Sequence, residues 1–170
     1  MWAAVNQKLL ISDANILIDV IDGEIVDEMF GLEYEFGVPD VLFHDELKDH
    51  YPWLPGKGLK VMELAAAGIL DTVQLSVKHA KVGVSNNDYM ALALARQEGC
   101  LLLTGDRALV QIALNEGSNV RGTLWLVEEM FNAGLVGLDK VKRAYAAMKA
   151  AGSRLPWDEI EKQIKRLSKK

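Results

Sequence analysis

Two stretches of the chain are built alike, and their likeness restricts the fold more than any other feature. Leu9-Leu10-Ile11-Ser12 is an apolar run that halts at Asp13 and continues as a helical pattern over residues 15–21. Cys100-Leu101-Leu102-Leu103-Thr104 is a second such run that halts at Gly105-Asp106 and continues as a helix over 108–115. A short continuous apolar run that gives way to a helix suits a buried strand, and strands alternating with helices imply a parallel sheet covered by helices on both faces. Ligands of such sheets bind at the carboxyl ends of the strands, where Asp13 and Asp106 fall. Adjacent parallel strands end side by side, so the two acids become neighbours if their strands are neighbours.

The remaining pattern fits this frame. Asp22-Gly23 marks a break before a helical piece over 24–30, and residues 35–39 form a short strand closed by proline. Asp40 is placed to cap a helix on which Leu42 and Glu46 share a face. Residues 51–58 hold two prolines and two glycines and read as a loop. Helical spacing resumes over 59–67 and stops at Gly68, and 72–75 suits a strand. Ser85-Asn86-Asn87 offers N-cap donors to a helix over 89–97, which Glu98-Gly99 ends. Asn119-Val120 suits a last strand, and helices follow over 124–132, 138–150 and 157–167. The reading is an α/β domain over residues 1–138, with a basic helical extension over 139–170 packed on or continuing it.

Charge is unevenly placed. The net charge is −5, yet residues 139–170 carry ten Lys and Arg against four acids. An acidic body repels a phosphate backbone unless cations neutralise it where the backbone binds. The single cysteine, Cys100, excludes an internal disulfide, the N-terminus has neither the basic flank nor the apolar core of a signal peptide, and no apolar run is long enough to span a membrane. These features lead us to expect a cytoplasmic protein away from the membrane.

Four carboxylates occupy positions from which such a fold is able to bring them together, and their convergence is an expectation: Asp13, Glu46, Asp88 and Asp106. Ionised carboxylates a few ångströms apart repel, and a hard divalent cation with oxygen ligands, Mg²⁺ or Mn²⁺, resolves the repulsion. Such an ion activates a water and shields a phosphodiester. Each acid also has a plainer reading. Asp13 and Asp106 precede helices and serve as N-caps, Asp88 suits a helix dipole, and Glu46 suits a solvated helix face, with Asp45 beside it as a competitor.

Several segments resemble one family. Ser12-Asp13-Ala14-Asn15-Ile16-Leu17-Ile18 resembles the opening D-x-N motif of PIN domains, and Pro39-Asp40-Val41-Leu42-Phe43-His44-Asp45-Glu46-Leu47 is similar to their proline-then-helix segment ending in Glu-Leu. Ser85-Asn86-Asn87-Asp88-Tyr89-Met90-Ala91 and Leu102-Leu103-Thr104-Gly105-Asp106-Arg107 resemble the third and fourth acid motifs, in family order. Residues 121–136 also resemble a helix and small-residue turn of PIN-related proteins with an extra helical tail. The resemblance implies a PIN-like three-layer sandwich and a Mg²⁺- or Mn²⁺-dependent ribonuclease, with Asp13, Glu46, Asp88 and Asp106 as ligands and Asn15 and Thr104 orienting them. Many relatives are VapC-like toxins held inactive by an antitoxin, so an antitoxin partner and a homodimer are expected as well.

Other residues carry weaker signals. Arg107, Lys48 and Arg96 are placed to meet RNA phosphates, and we take Arg107 as the substrate-binding candidate. His44, His50 and His79 match no paired-histidine site. Tyr51 and Trp53 either stack on bases or pack on the body. The basic tail either binds RNA or pairs with the acidic body of a second copy. The competing class is a PIN-like module that binds RNA or a protein without cutting; a phosphorylated receiver-like domain lacks the accompanying Lys or Thr geometry.

Overall fold

Leu9–Ser12 (β1) is buried at all four positions and forms the centre of the sheet in a computed structural model that describes residues 8–170. The first seven residues, read above as without a signal peptide, lie outside it. Around β1 stand β2 (Glu35–Pro39), β3 (Lys60–Met62), β4 (Leu101–Leu103) and β5 (Val120–Arg121), all parallel, in the order β3-β2-β1-β4-β5. The register Ser12↔Leu103 sets the ends of β1 and β4 level, and the Asp13 amide carries the ladder one step further by donating to Leu103 O at 3.0 Å. The two acid-ended runs are therefore neighbours.

The helices are α1 (Ala14–Asp22), α2 (Val26–Phe30), α3 (Asp40–Leu42), α4 (Leu54–Lys57), α5 (Ala66–His79), α6 (Asn86–Glu98), α7 (Arg107–Asn115), α8 (Thr123–Asn132), α9 (Leu138–Ala150) and α10 (Trp157–Leu167). Among them α6 is buried at every residue from Tyr89 to Ala95, because it packs against β1, β2 and β4 on one side and α5 on the other. No helix among the described residues is long and apolar enough to cross a membrane.

The local expectations need correction in three places, the first of them residues 59–75. Residues 59–65 lie outside any helix, since Val61 pairs with Val38 on the edge strand β3, while residues 66–67 open α5 and residues 72–75 lie inside it instead of forming a strand. The apparent stop at Gly68 is a close approach. A Cβ there would meet Gln97 Oε1 at 2.6 Å and Leu64 Cδ2 at 2.8 Å, so a larger residue would have to displace the ends of these two side chains. Thr72 is held in the helix by donating its hydroxyl to Gly68 O at 2.9 Å, and packing overrides its strand preference.

The second correction concerns Glu46. Beyond α3 the backbone widens into a π-turn, Phe43–Leu47, closed by the Lys48 amide on Phe43 O at 2.8 Å. The extra residue brings Leu47 into the core after Leu42 and turns Glu46 outward, so Leu42 and Glu46 do not share a face. Third, Pro39 occupies the N-cap and Asp40 is the first helical residue, its carboxylate accepting from the Val41 amide at 2.8 Å.

The helices α9 and α10 share the apolar core of the body through Val141, Tyr145, Met148, Ile160 and Leu167. Tyr145 donates its hydroxyl to Gln163 Oε1 at 2.5 Å, and Gln163 Nε2 donates to Leu124 O at 2.8 Å. Part of the basic tail faces acids of its own body, Lys140 on Glu28 and Arg166 on Glu128. That fork, with Arg166 beside the carboxylate, lowers the Glu128 pKa to about 2.

Candidate acidic site at the carboxyl end of the sheet

Asp13 follows β1 directly and is 2% exposed. One carboxylate oxygen caps α1 by accepting the Ile16 amide at 2.9 Å, and the other accepts the Thr104 hydroxyl at 2.5 Å. Among the described residues no Lys, Arg or His pairs with it. Burial dominates its titration and pushes the carboxyl up to about 7 against these two hydrogen bonds, with the charges of Asp88 and Asp19 adding to the rise.

Thr104 ties this acid to the next. Its hydroxyl oxygen accepts the Asp106 amide at 3.2 Å, so one side chain sets both Asp13 and the turn that starts α7. Asp106 is half-buried and caps α7 through the Leu109 amide at 2.9 Å. Asp88 sits in the first turn of α6 in a reciprocal capping box with Ser85. The capping readings are thus correct for Asp13 and Asp106, and Asp88, read for the helix dipole, lies in the first turn and also closes the box. Asp88 and Asp106 each spend one oxygen on the cap, and the other accepts no hydrogen bond among the described residues.

Glu46 comes from the π-turn. Asn87 Nδ2 donates to Glu46 Oε2 at 3.2 Å and to Asp45 Oδ2 at 3.3 Å, bridging the two acids that compete in the sequence. Partial burial raises Glu46, Asn87 opposes the rise, and the charges of Asp88 and Asp45 add to it. Asp88 therefore acts on both Asp13 and Glu46. The four acids are linked pairwise, and among the described residues no three of His, Cys, Asp and Glu stand close enough to share a metal ion.

Of the supporting residues, Asn15 is exposed on the first turn of α1 and Arg107 is exposed at the start of α7; both line a cleft of about 1040 Å³ together with Asp106. The histidines lie apart from the acids in their contacts. His79 contacts Glu116 at 2.7 Å, and His44 stacks edge-on against Phe43. Arg96 pairs with Asp71 and Glu116, so it is committed within the fold. Sequence reasoning missed Asn87, which it counted only as a capping donor, and Asp19, which carried no signal beyond its place on a helix.

Replacing Thr104 by Val removes a donor from Asp13 while leaving its burial intact. The Asp13 pKa is expected to rise above its value of about 7. A carboxyl-carbon NMR titration of the two chains measures the difference, and an unchanged midpoint would show that the Thr104 hydroxyl does not set it.

Fold and site together define an α/β protein whose parallel sheet opens onto carboxylates. A family model described as a PIN domain matches residues 9–169, and the chain belongs to that family. PIN domains are generally nucleases and typically use divalent metals. No curated protein matches the chain.

Proposed function

We propose that this protein is a Mg²⁺- or Mn²⁺-dependent ribonuclease that hydrolyses RNA phosphodiester bonds endonucleolytically, with Asp13, Glu46, Asp88 and Asp106 as its acidic ligands. The observation that carries the reading is Asp13: a carboxylate almost wholly out of water, with no cation beside it, at the end of the central strand. An ionised group so placed is costly unless a positive charge compensates it. The acids around it offer carboxylate oxygens, a donor type that suits a hard divalent ion better than a soft one; since no three of them stand within reach of one ion among the described residues, the proposal requires the ion to draw them together.

Bound there, the ion supplies an activated water and neutralises charge on the phosphodiester. The chain's own residues do the rest. Thr104 holds Asp13 and the Asp106 turn in fixed relation, and Asn87 restrains Glu46. Asn15 and Arg107 line the cleft beside Asp106, where Arg107 offers a charge-assisted fork to a phosphate.

The test is cleavage of a mixed RNA pool in manganese. Asp106→Asn and Asp88→Asn are expected to lose far more than the roughly 10–100-fold that removal of an outer partner costs, while both chains keep their folds by circular dichroism. Cleavage that survives these substitutions would overturn the site, and RNA binding without cleavage under any divalent metal would mark a binding module instead.

A further inference from the structure

The turn joining α9 to α10 comes back to the end of the sheet that carries the acids. Gly152 adopts φ +91°, a left-handed conformation that suits glycine, and the Ser153 amide then closes on Met148 O at 3.0 Å. Ser153 donates its hydroxyl to Asp19 Oδ1 on α1 at 2.7 Å, and Thr123 at the start of α8 reaches the other oxygen at 3.4 Å. Asp19 thereby ties the extension to the helix that begins at Asp13. The result is a single cleft of about 1040 Å³ lined by Asn15, Asp106 and Arg107 from the body and by Ser153 and Arg154 from the turn.

We propose that this turn is one wall of the substrate cleft, and that Arg154 together with Arg107 grips the phosphates of a single-stranded RNA. The inference rests on the nuclease reading for what the cleft is for. Among the described residues Arg107 and Arg154 make no ion pair, whereas Lys140 and Arg166 of the tail are bound to Glu28 and Glu128. Both free arginines are exposed. Asp19 and Asp22 also line the cleft, so a polyanion enters only if cations offset them. The hydroxyls of Ser153 and Thr123 already occupy Asp19.

At about 1040 Å³ the cleft stands at the upper end of the roughly 300–1,000 Å³ range of ligand pockets. Trp125 adds the second element. Its half-buried ring leans on Tyr34 at 5.7 Å between centroids and still lines the cleft. An aromatic face beside basic groups suits an unpaired base, which is how single strands are held.

Binding of a fluorescent single-stranded RNA to the full chain in EDTA, followed by anisotropy over a salt series, separates binding from cleavage. Arg154→Ala and Arg107→Ala are each expected to weaken binding several-fold and to reduce the salt slope by about 1. Arg143→Ala, exposed on α9 away from the cleft lining, serves as the control and is expected to bind like the natural chain. Natural affinity in the Arg154 variant overturns the proposal. Duplex DNA or polyglutamate bound as tightly as the RNA overturns the occupant. Weakened binding in the Arg154 variant, with no cleavage by the natural chain in any metal, upholds the wall and rejects the nuclease. Cleavage lost in Asp106→Asn alongside natural RNA affinity in the Arg154 variant does the reverse.

Discussion

A chain carrying Asp13→Asn is expected to be more stable than the natural one at about pH 8 without metal, and to cleave no RNA. The carboxyl titrates near 7 in the fold against 3.8 for the free group, chiefly because it is buried. The folded state therefore holds its proton more tightly than the unfolded state. Stability of the natural chain falls as pH rises from about 4 towards 7 and levels beyond, because the ionised form is the one that burial disfavours. Three units correspond to a ceiling of roughly 4 kcal/mol. Asparagine keeps an oxygen for the Ile16 amide that caps α1 and carries no charge. At about 2–4 °C per kcal/mol for a chain of this size, the gain is several degrees in melting temperature. It should vanish below about pH 4, where both states of the natural chain are protonated. Manganese should narrow the gap by stabilising only the chain that keeps the carboxylate. Equal melting temperatures across the pH range would show that Asp13 imposes no such cost.

That opposition between stability and chemistry explains how much of the site was legible in the sequence. Asp13 and Asp106 stand out in the sequence because each follows a short apolar run, and these two runs are indeed buried strands. Their capping hydrogen bonds are equally legible, and each cap takes only one carboxylate oxygen, so capping does not compete with the ligand role proposed for these acids. Glu46 was found in sequence but misplaced on its helix. The π-turn that rotates it outward depends on where Leu47 packs, and nothing in the local pattern distinguishes an i+4 from an i+5 repeat there. Asn87 was invisible as a bridge for the same reason. Its partners lie more than forty residues away in sequence, and only packing brings them to it.

The fold was legible where burial is strong and illegible at the sheet's edge. Strand β3 exposes Lys60 and Val61, so it shows no continuous apolar run, and the spacing of Leu59, Met62 and Leu64 imitates a helix. Helix α5 was divided because Gly68 looks like a terminator and Thr72-Val73 like a strand. Gly68 instead lies against the side chain of Gln97, 29 residues further along the chain. Both errors have the same physical origin, a tertiary contact that reverses a local preference.

A chain ended after Gly137, one residue short of the boundary that composition sets after 138, is expected not to fold. The change to a basic sequence marks a difference in charge, and α9 and α10 contribute apolar residues on the other side of it. Val141, Tyr145, Met148, Ile160 and Leu167 are all buried. At about 1.5–3 kcal/mol for each buried apolar side chain, their loss approaches the roughly 5–15 kcal/mol that holds a domain together. The body would lose more than these contacts. Gly23 lies so close to α9 that an added methyl would meet Met148 Cε at 2.6 Å and Ala144 O at 3.3 Å, and truncation uncovers that surface. Leu124 O loses the Gln163 amide, Glu128 loses Arg166, and Asp19 loses Ser153. We expect broad thermal melting and strong dye binding by exposed apolar surface, the behaviour of a chain that has collapsed without packing. A sharp cooperative transition in the shortened chain would show instead that residues 8–137 fold alone and that the tail is an appendage.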